Sequence, residues 1–208
     1  MIVSAAALAL ALAAPSTAAV AVEPVDPAAG AAVRVERRLL RTEGHLFLSL
    51  GPAYLARGDY FASPGLVLSA TWYLREGGGL ELRAAPLFSR LDAAGREVSA
   101  ETGLVPDAQR PVALVTAGWR QSLGYGKVLP FPGGGVVHFD LQGAAAAGLL
   151  RTDRSTAPAL AVGPGLLARL GARGVAQLDV QLTLSFEERR YASLSPGILA
   201  SLTFGGWL

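Results

Sequence analysis

The side chains able to do chemistry are few, and their spacing is informative. His45 and Ser49, a base and a nucleophile, lie four residues apart; His138 and Asp140 stand two apart; Glu81, Arg83, Arg120, Arg169 and Asp179 supply the remaining strand charges. Nucleophilic hydrolysis needs hydroxyl, base and orienting acid within hydrogen-bond reach. On an extended chain a separation of four residues is roughly 13 Å, too far for a direct Ser49–His45 bond. Two imidazoles and one nearby carboxylate could hold a metal, but among so many arginines hydrogen-bonded structural roles are the commoner outcome. With no cysteine, thiolate ligation, disulfides and a lipidated amino-terminal Cys are excluded. Gly77 to Gly79 joins two strands and opens no helix, so it is no phosphate loop. The expectation is no enzyme, no cofactor and no metal.

What must position these residues is a set of strands. From Gly174 to Phe186, Ala176, Leu178, Val180, Leu182, Leu184 and Phe186 alternate with Val175, Gln177, Asp179, Gln181, Thr183 and Ser185. A period of two over that length means a strand whose two faces meet different media, and about 9–11 tilted residues suffice to cross a bilayer. Seven further segments read the same way: His45 to Leu55, Leu66 to Leu74, Leu80 to Phe88, Val112 to Leu123, Val136 to Ala146, Ala159 to Leu170 and Pro196 to Trp207. In the sixth strand, Gly163, Pro164 and Gly165 blur the alternation and leave its register open. The predicted fold is all-β, an eight-stranded antiparallel up-and-down transmembrane barrel with both ends in the periplasm.

Composition agrees. Charged residues are 16% of the 208, against about 25% in soluble domains, and the mean hydropathy is +0.40. A formal net charge of +2 gives no strong field to attract nucleic acid, and no nucleic-acid partner is expected. Ile2 to Ala14 is an Ala/Leu-rich run, and Ala19-Val20-Ala21 offers a small-x-small cleavage pattern. The expected organisation is a signal peptide over 1–21, a periplasmic linker and lead-in over 22–42, and an outer-membrane barrel over 43–208. The lead-in carries Arg34, Arg37, Arg38 and Arg41.

Connections divide by length. Glu76 to Gly79, Gly124 to Gly135 and Gly171 to Gly174 fall on one side; Ser89 to Arg110, Gly148 to Pro158 and Glu187 to Leu194, longer or more charged, fall on the other. Short periplasmic turns and longer external loops are the habit of bacterial outer-membrane barrels. Tyr54, Trp72, Tyr73, Trp119, Phe186 and Trp207 gather near strand ends, with Tyr60, Tyr125, Phe131 and Tyr191, as interfacial girdles would. On this topology His45, Glu81, Arg83, Arg120, His138, Asp140, Arg169 and Asp179 all face the lumen towards the periplasmic end, where unlike charges should pair in a structural lock. A proton-linked or ligand site is the rival reading. The rival fold is a soluble lipocalin-like barrel, with the same period but its apolar face inside. The lack of Lys, Glu or Arg on faces that would then meet water argues against it.

Gly124-Tyr125-Gly126-Lys127, then Val136-Val137-His138-Phe139-Asp140-Leu141, resembles the myxobacterial outer membrane β-barrel domain family, where a YGK turn and such a His-Phe-Asp-Leu strand recur. Arg37-Arg38, Leu178-Asp179-Val180 and Phe204 are also similar, so the resemblance runs from about Arg34 onward. It differs in ending Phe204, Trp207, Leu208 and in Gln142 where an aromatic recurs. The resemblance implies an exported, membrane-embedded protein without assigned activity. The functional expectation is a scaffold or binding module with a filled lumen and no general pore. Its expected partners are outer-membrane lipid and lipopolysaccharide, the barrel assembly machinery, and a protein at the external loops. A lipid-modifying enzyme or a narrow channel is the alternative.

Overall fold

The computed structural model describes residues 42–103, 109–128, 136–170, 174–187 and 193–208. The expected signal peptide, nearly all of the lead-in, Phe131 and Tyr191 lie outside them. Eight long strands form one closed antiparallel sheet: β1 (Leu46–Ala56), β2 (Phe61–Arg75), β3 (Gly78–Pro86), β5 (Pro111–Val128), β6 (Val137–Thr152), β7 (Thr156–Leu170), β8 (Gly174–Phe186) and β9 (Leu194–Trp207). Each pairs with its neighbour along the chain, and β1 pairs with both β2 and β9, which closes the ring. A two-residue β4 (Arg90–Leu91) adds to the far end of β2. Closure satisfies the backbone without leaving a sheet edge, the condition for strands to cross hydrocarbon. Among the described residues no helix is long and apolar enough to span a membrane.

The alternation decides which face is which. In β8, Leu178, Val180, Leu182 and Phe186 are 44–48% exposed, whereas Gln177, Asp179 and Gln181 are at most 2% exposed. The same polarity runs round the ring, with Leu50, Leu68, Leu82, Leu149, Val162 and Ile198 outside. An apolar belt of this extent far exceeds the few hundred square ångströms a water-soluble monomer tolerates. The lipocalin-like alternative required those side chains to converge inward, and they point out.

Four sequence expectations are corrected. The segment Gly148 to Pro158 is not a long loop. β6 and β7 pair to Arg151 and Thr156, leaving only Asp153, Arg154 and Ser155 around the Thr152 hydroxyl. Gly124 to Lys127 is not a turn but the continuation of β5, paired with β6 as far as Val128–Val137 after a bulge at Ser122/Gly124. Ser89 to Arg110 contains a helix, α1 (Ala93–Thr102), capped by Asp92 accepting from the Gly95 amide at 2.7 Å and closed by left-handed Gly103. Tyr73 and Trp207 do not belong to an outer girdle. Both fall on the inward face, where Tyr73 is fully buried and Trp207 packs in tilted contact against Phe47 and Tyr73 at centroid distances of 5.1 and 5.7 Å. Trp72 and Trp119 near one rim, and Tyr54 and Phe186 near the other, do face outward.

The interior is layered. At the end carrying Leu46 and Trp207, here the terminal end, Phe47, Tyr73, Leu167 and Val175 pack with Trp207. Towards the opposite, loop end, Ala53, Leu55, Val67, Ala85, Leu87, Leu114, Leu150, Ala159 and Leu199 form a second apolar cluster drawn from most of the strands. Charged side chains of β3, β5 and β8 lie between these two plugs. A lumen this narrow is filled by its own side chains.

Candidate functional site: the charged layer in the lumen

Register brings the charges together. Thr71 pairs with Glu81 and Ser69 with Arg83; Arg83 lies opposite Thr116, and Gly79 opposite Arg120. Asp179 faces Gly165 on β7 and Ser201 on β9. The resulting quartet of Arg83, Arg120, Glu81 and Asp179 sums to zero charge, two of each sign.

Its bonds are dense. The Arg120 guanidinium donates to Glu81 Oε1 from Nη2 at 2.8 Å and from Nε at 3.1 Å, and from Nη1 to Asp179 Oδ1 at 3.0 Å and Gln142 Oε1 at 3.1 Å. Arg83 Nη2 bridges Glu81 Oε1 at 3.0 Å and Asp179 Oδ2 at 2.7 Å. Gln177 donates to Asp179 Oδ2 at 2.6 Å, and Gln142 Nε2 donates to both Asp140 Oδ2 and the Tyr73 hydroxyl. Every charged member is at most 5% exposed, and Arg120 not at all. Forked guanidinium bonds to two carboxylates suit such a dry site, because planar geometry sets both bonds at once.

The blurred alternation of β7 now has a cause. A Cβ at Gly165 would overlap Asp179 Oδ1 and come within 2.8 Å of Arg120 Nη1. The missing side chain is the space in which the two groups meet, so the glycine that obscured the strand in sequence also makes the site.

Not every expected residue joins. His45 precedes β1, is exposed, and bonds through Nδ1 to the Glu43 carbonyl at 2.9 Å, edge-on to Trp207. It is outside the layer because the chain enters the barrel only at Leu46. His138 sits two residues below Asp140 on the same face, stacked on Tyr125 and hydrogen-bonded to its hydroxyl. Arg169 is on the inward side of β7 opposite Val175. Asp140 touches the quartet through Gln142 and also accepts from Ser122. Ser49 shares a hydrogen bond with Ser69 at 2.7 Å, not with a histidine. Among the described residues no group of three His, Cys, Asp or Glu side chains is arranged for a metal ion.

A second charged set was missed. At the loop end Arg57 Nη2 reaches Asp59 Oδ2 at 2.6 Å and Glu187 Oε1 at 2.9 Å, and Ser185 donates to the same Glu187 oxygen at 2.8 Å. All three charged side chains are buried. Glu187 opens a connection in the sequence reading and Arg57 follows the first predicted strand, yet each continues the inward parity of its strand by one step beyond Leu55 and Ser185. That extension was the available signal.

No family model matches the chain, and no curated protein matches it. Among solved structures it is similar to a de novo designed transmembrane β-barrel, at 12% identity over 81% of this chain and 100% of that one, with a TM-score of 0.39. It is also similar to Ail, the attachment invasion locus protein of Yersinia pestis, at 16% identity over 80% of this chain and 99% of that one, with a TM-score of 0.42. A structure of Ail with the heparin analogue sucrose octasulfate gives 14% identity, the same coverage and a TM-score of 0.41.

Proposed function

We propose that this chain is a small outer-membrane barrel acting as a rigid anchor that presents its loop-end surface to a partner, with the terminal end in the periplasm. The carrying observation is the pairing of an apolar exterior with a sealed interior: two apolar plugs enclose a charge-neutral layer. A transport path would have to break both plugs and desolvate or displace four paired charges. The resemblance around Tyr125 and His138 agrees with export to that membrane, as does the expected signal peptide over 1–21.

The presented surface is α1 with the β6–β7 connection. Helix α1 rests through Gly95 against Tyr60, leaving most of its side chains exposed. Polar groups on a short capped helix held over a rigid barrel suit protein recognition. Lipid modification, the rival reading, has no observation in its favour, since Ser49 and the two histidines are held apart by their own partners.

Full-length protein expressed in a Gram-negative host should fractionate with the outer membrane, migrate faster unboiled than boiled, and yield its α1 segment to protease added outside intact cells. Reconstituted in planar bilayers it should show no steady open channel. A large stable conductance, or recovery in the soluble fraction, would refute this assignment.

A further inference from the structure

One stretch of the outer wall departs from the smooth apolar belt. A groove of 430 Å³ crosses β5, β6 and β7, lined by Trp119, Gln121, Leu123, Gly143, Val162 and Pro164. Its floor is low because Gly143 presents no side chain, and Leu123 overhangs it, 3.4 Å from where a Cβ of Gly143 would stand. The volume is within the roughly 300–1,000 Å³ of small-molecule sites.

One end of the groove is cationic. Arg75 lies over the Trp119 ring, its guanidinium carbon 5.3 Å from the centroid, and donates to Gln121 Oε1 at 3.0 Å; the Trp119 indole donates to the same oxygen at 3.3 Å. Gly78 permits this pose, since a Cβ there would approach Arg75 Nε to 2.8 Å and the Trp119 ring to 2.9 Å. Arg75 is exposed, and among the described residues no carboxylate pairs with it. An aromatic platform and an amide thus hold a cation at the rim of a lipid-facing wall.

Register gives the groove its direction. Gly78 pairs with Gln121, Gln121 with Gly143, and Gly143 with Pro164. Arg75 ends β2 at the terminal rim, whereas Pro164 is near the middle of β7, so the groove climbs from the rim towards the centre of the wall. A phosphate at the rim and an acyl chain running inward is the shape of a glycerophospholipid. Bulk lipid already covers the belt; what this groove adds is a fixed charge aligned with a chain-sized recess.

We propose that this groove binds one phospholipid of the leaflet at the terminal end, its phosphate on Arg75 and one acyl chain along Gly143 and Pro164. Given the orientation proposed above, that is the periplasmic leaflet, and the inference rests on that reading.

Full-length protein in detergent, titrated with phosphatidylglycerol and followed by native mass spectrometry, should retain one lipid. Dioleoylglycerol, with chains but no phosphate, should be retained about tenfold less well, the effect of losing one charge-assisted contact. Arg75→Gln should weaken phosphatidylglycerol retention by a similar factor, and Gly143→Leu, which fills the recess from the lipid side, should also weaken it. Arg151→Gln at the loop end should leave it unchanged. Equal retention of both lipids, or of phosphatidylglycerol by wild type and Arg75→Gln, would overturn the site. Loss of heat-modifiable migration in the wild type would instead refute the membrane assignment itself.

Discussion

Replacing Arg120 by Met is the sharpest test of the lumen network. Met keeps the apolar stem of Arg but none of the guanidinium beyond Nε, and the layer goes from two positive and two negative charges to one and two. Four hydrogen bonds of 2.8–3.1 Å vanish at once, leaving Glu81 Oε1 with Arg83 alone and Asp179 Oδ1 without its guanidinium. Neither carboxylate can recover water, because apolar clusters lie on both sides. Breaking one partner out of a buried ion pair costs about 3–5 kcal/mol. For a chain of this size that corresponds to a fall in unfolding temperature on the order of 10 °C. The assay is the boiled-to-unboiled band shift of purified protein in detergent against temperature, with urea unfolding in vesicles as a second measure. Arg120→Met combined with Glu81→Gln restores neutrality and should recover part of the loss, so the two substitutions should be strongly non-additive. An unchanged midpoint for Arg120→Met, or strict additivity in the double variant, would refute the claim that this layer locks the barrel.

Gly165→Ala should lower stability by about 1–3 kcal/mol despite adding only a methyl, since it intrudes where Asp179 and Arg120 meet; the same urea titration reads it. Trp207→Ala should cost about 3–5 kcal/mol by emptying the terminal plug, yet still give no conductance in planar bilayers, because the Leu55, Leu114, Leu150 and Leu199 cluster closes the other end. Asp92→Ala should fray α1 by about 1 kcal/mol, seen as faster amide exchange confined to Ala93–Thr102, while the barrel's unfolding midpoint stays in place.

Much of this architecture was legible before any coordinates. A strand with period two reports its two faces wherever it sits, so Leu178, Val180 and Leu182 could be separated from Gln177, Asp179 and Gln181 by counting alone, and the charge deficit said which face meets lipid. Eight such runs imply a ring. Counting failed where a local cue competed with the period. Glycines around Tyr125 suggested a turn that is strand, and the Gly148 to Pro158 stretch suggested a loop that is nearly all hairpin, because small residues serve crowded strands as well as bends. Aromatic identity likewise pointed Tyr73 and Trp207 to a girdle, although the parity of Tyr73 with Val67, Ser69 and Thr71 had already turned it inward.

Which charges meet is a different kind of information. Glu81 and Asp179 stand almost a hundred residues apart, and whether Arg120 reaches both depends on the stagger of five strands and on the void at Gly165. A strand's own residues specify its faces because alternation is a property of one extended backbone. Its neighbours' register, and so the contents of the lumen and the recess beside Arg75, are set only by the closing of the ring.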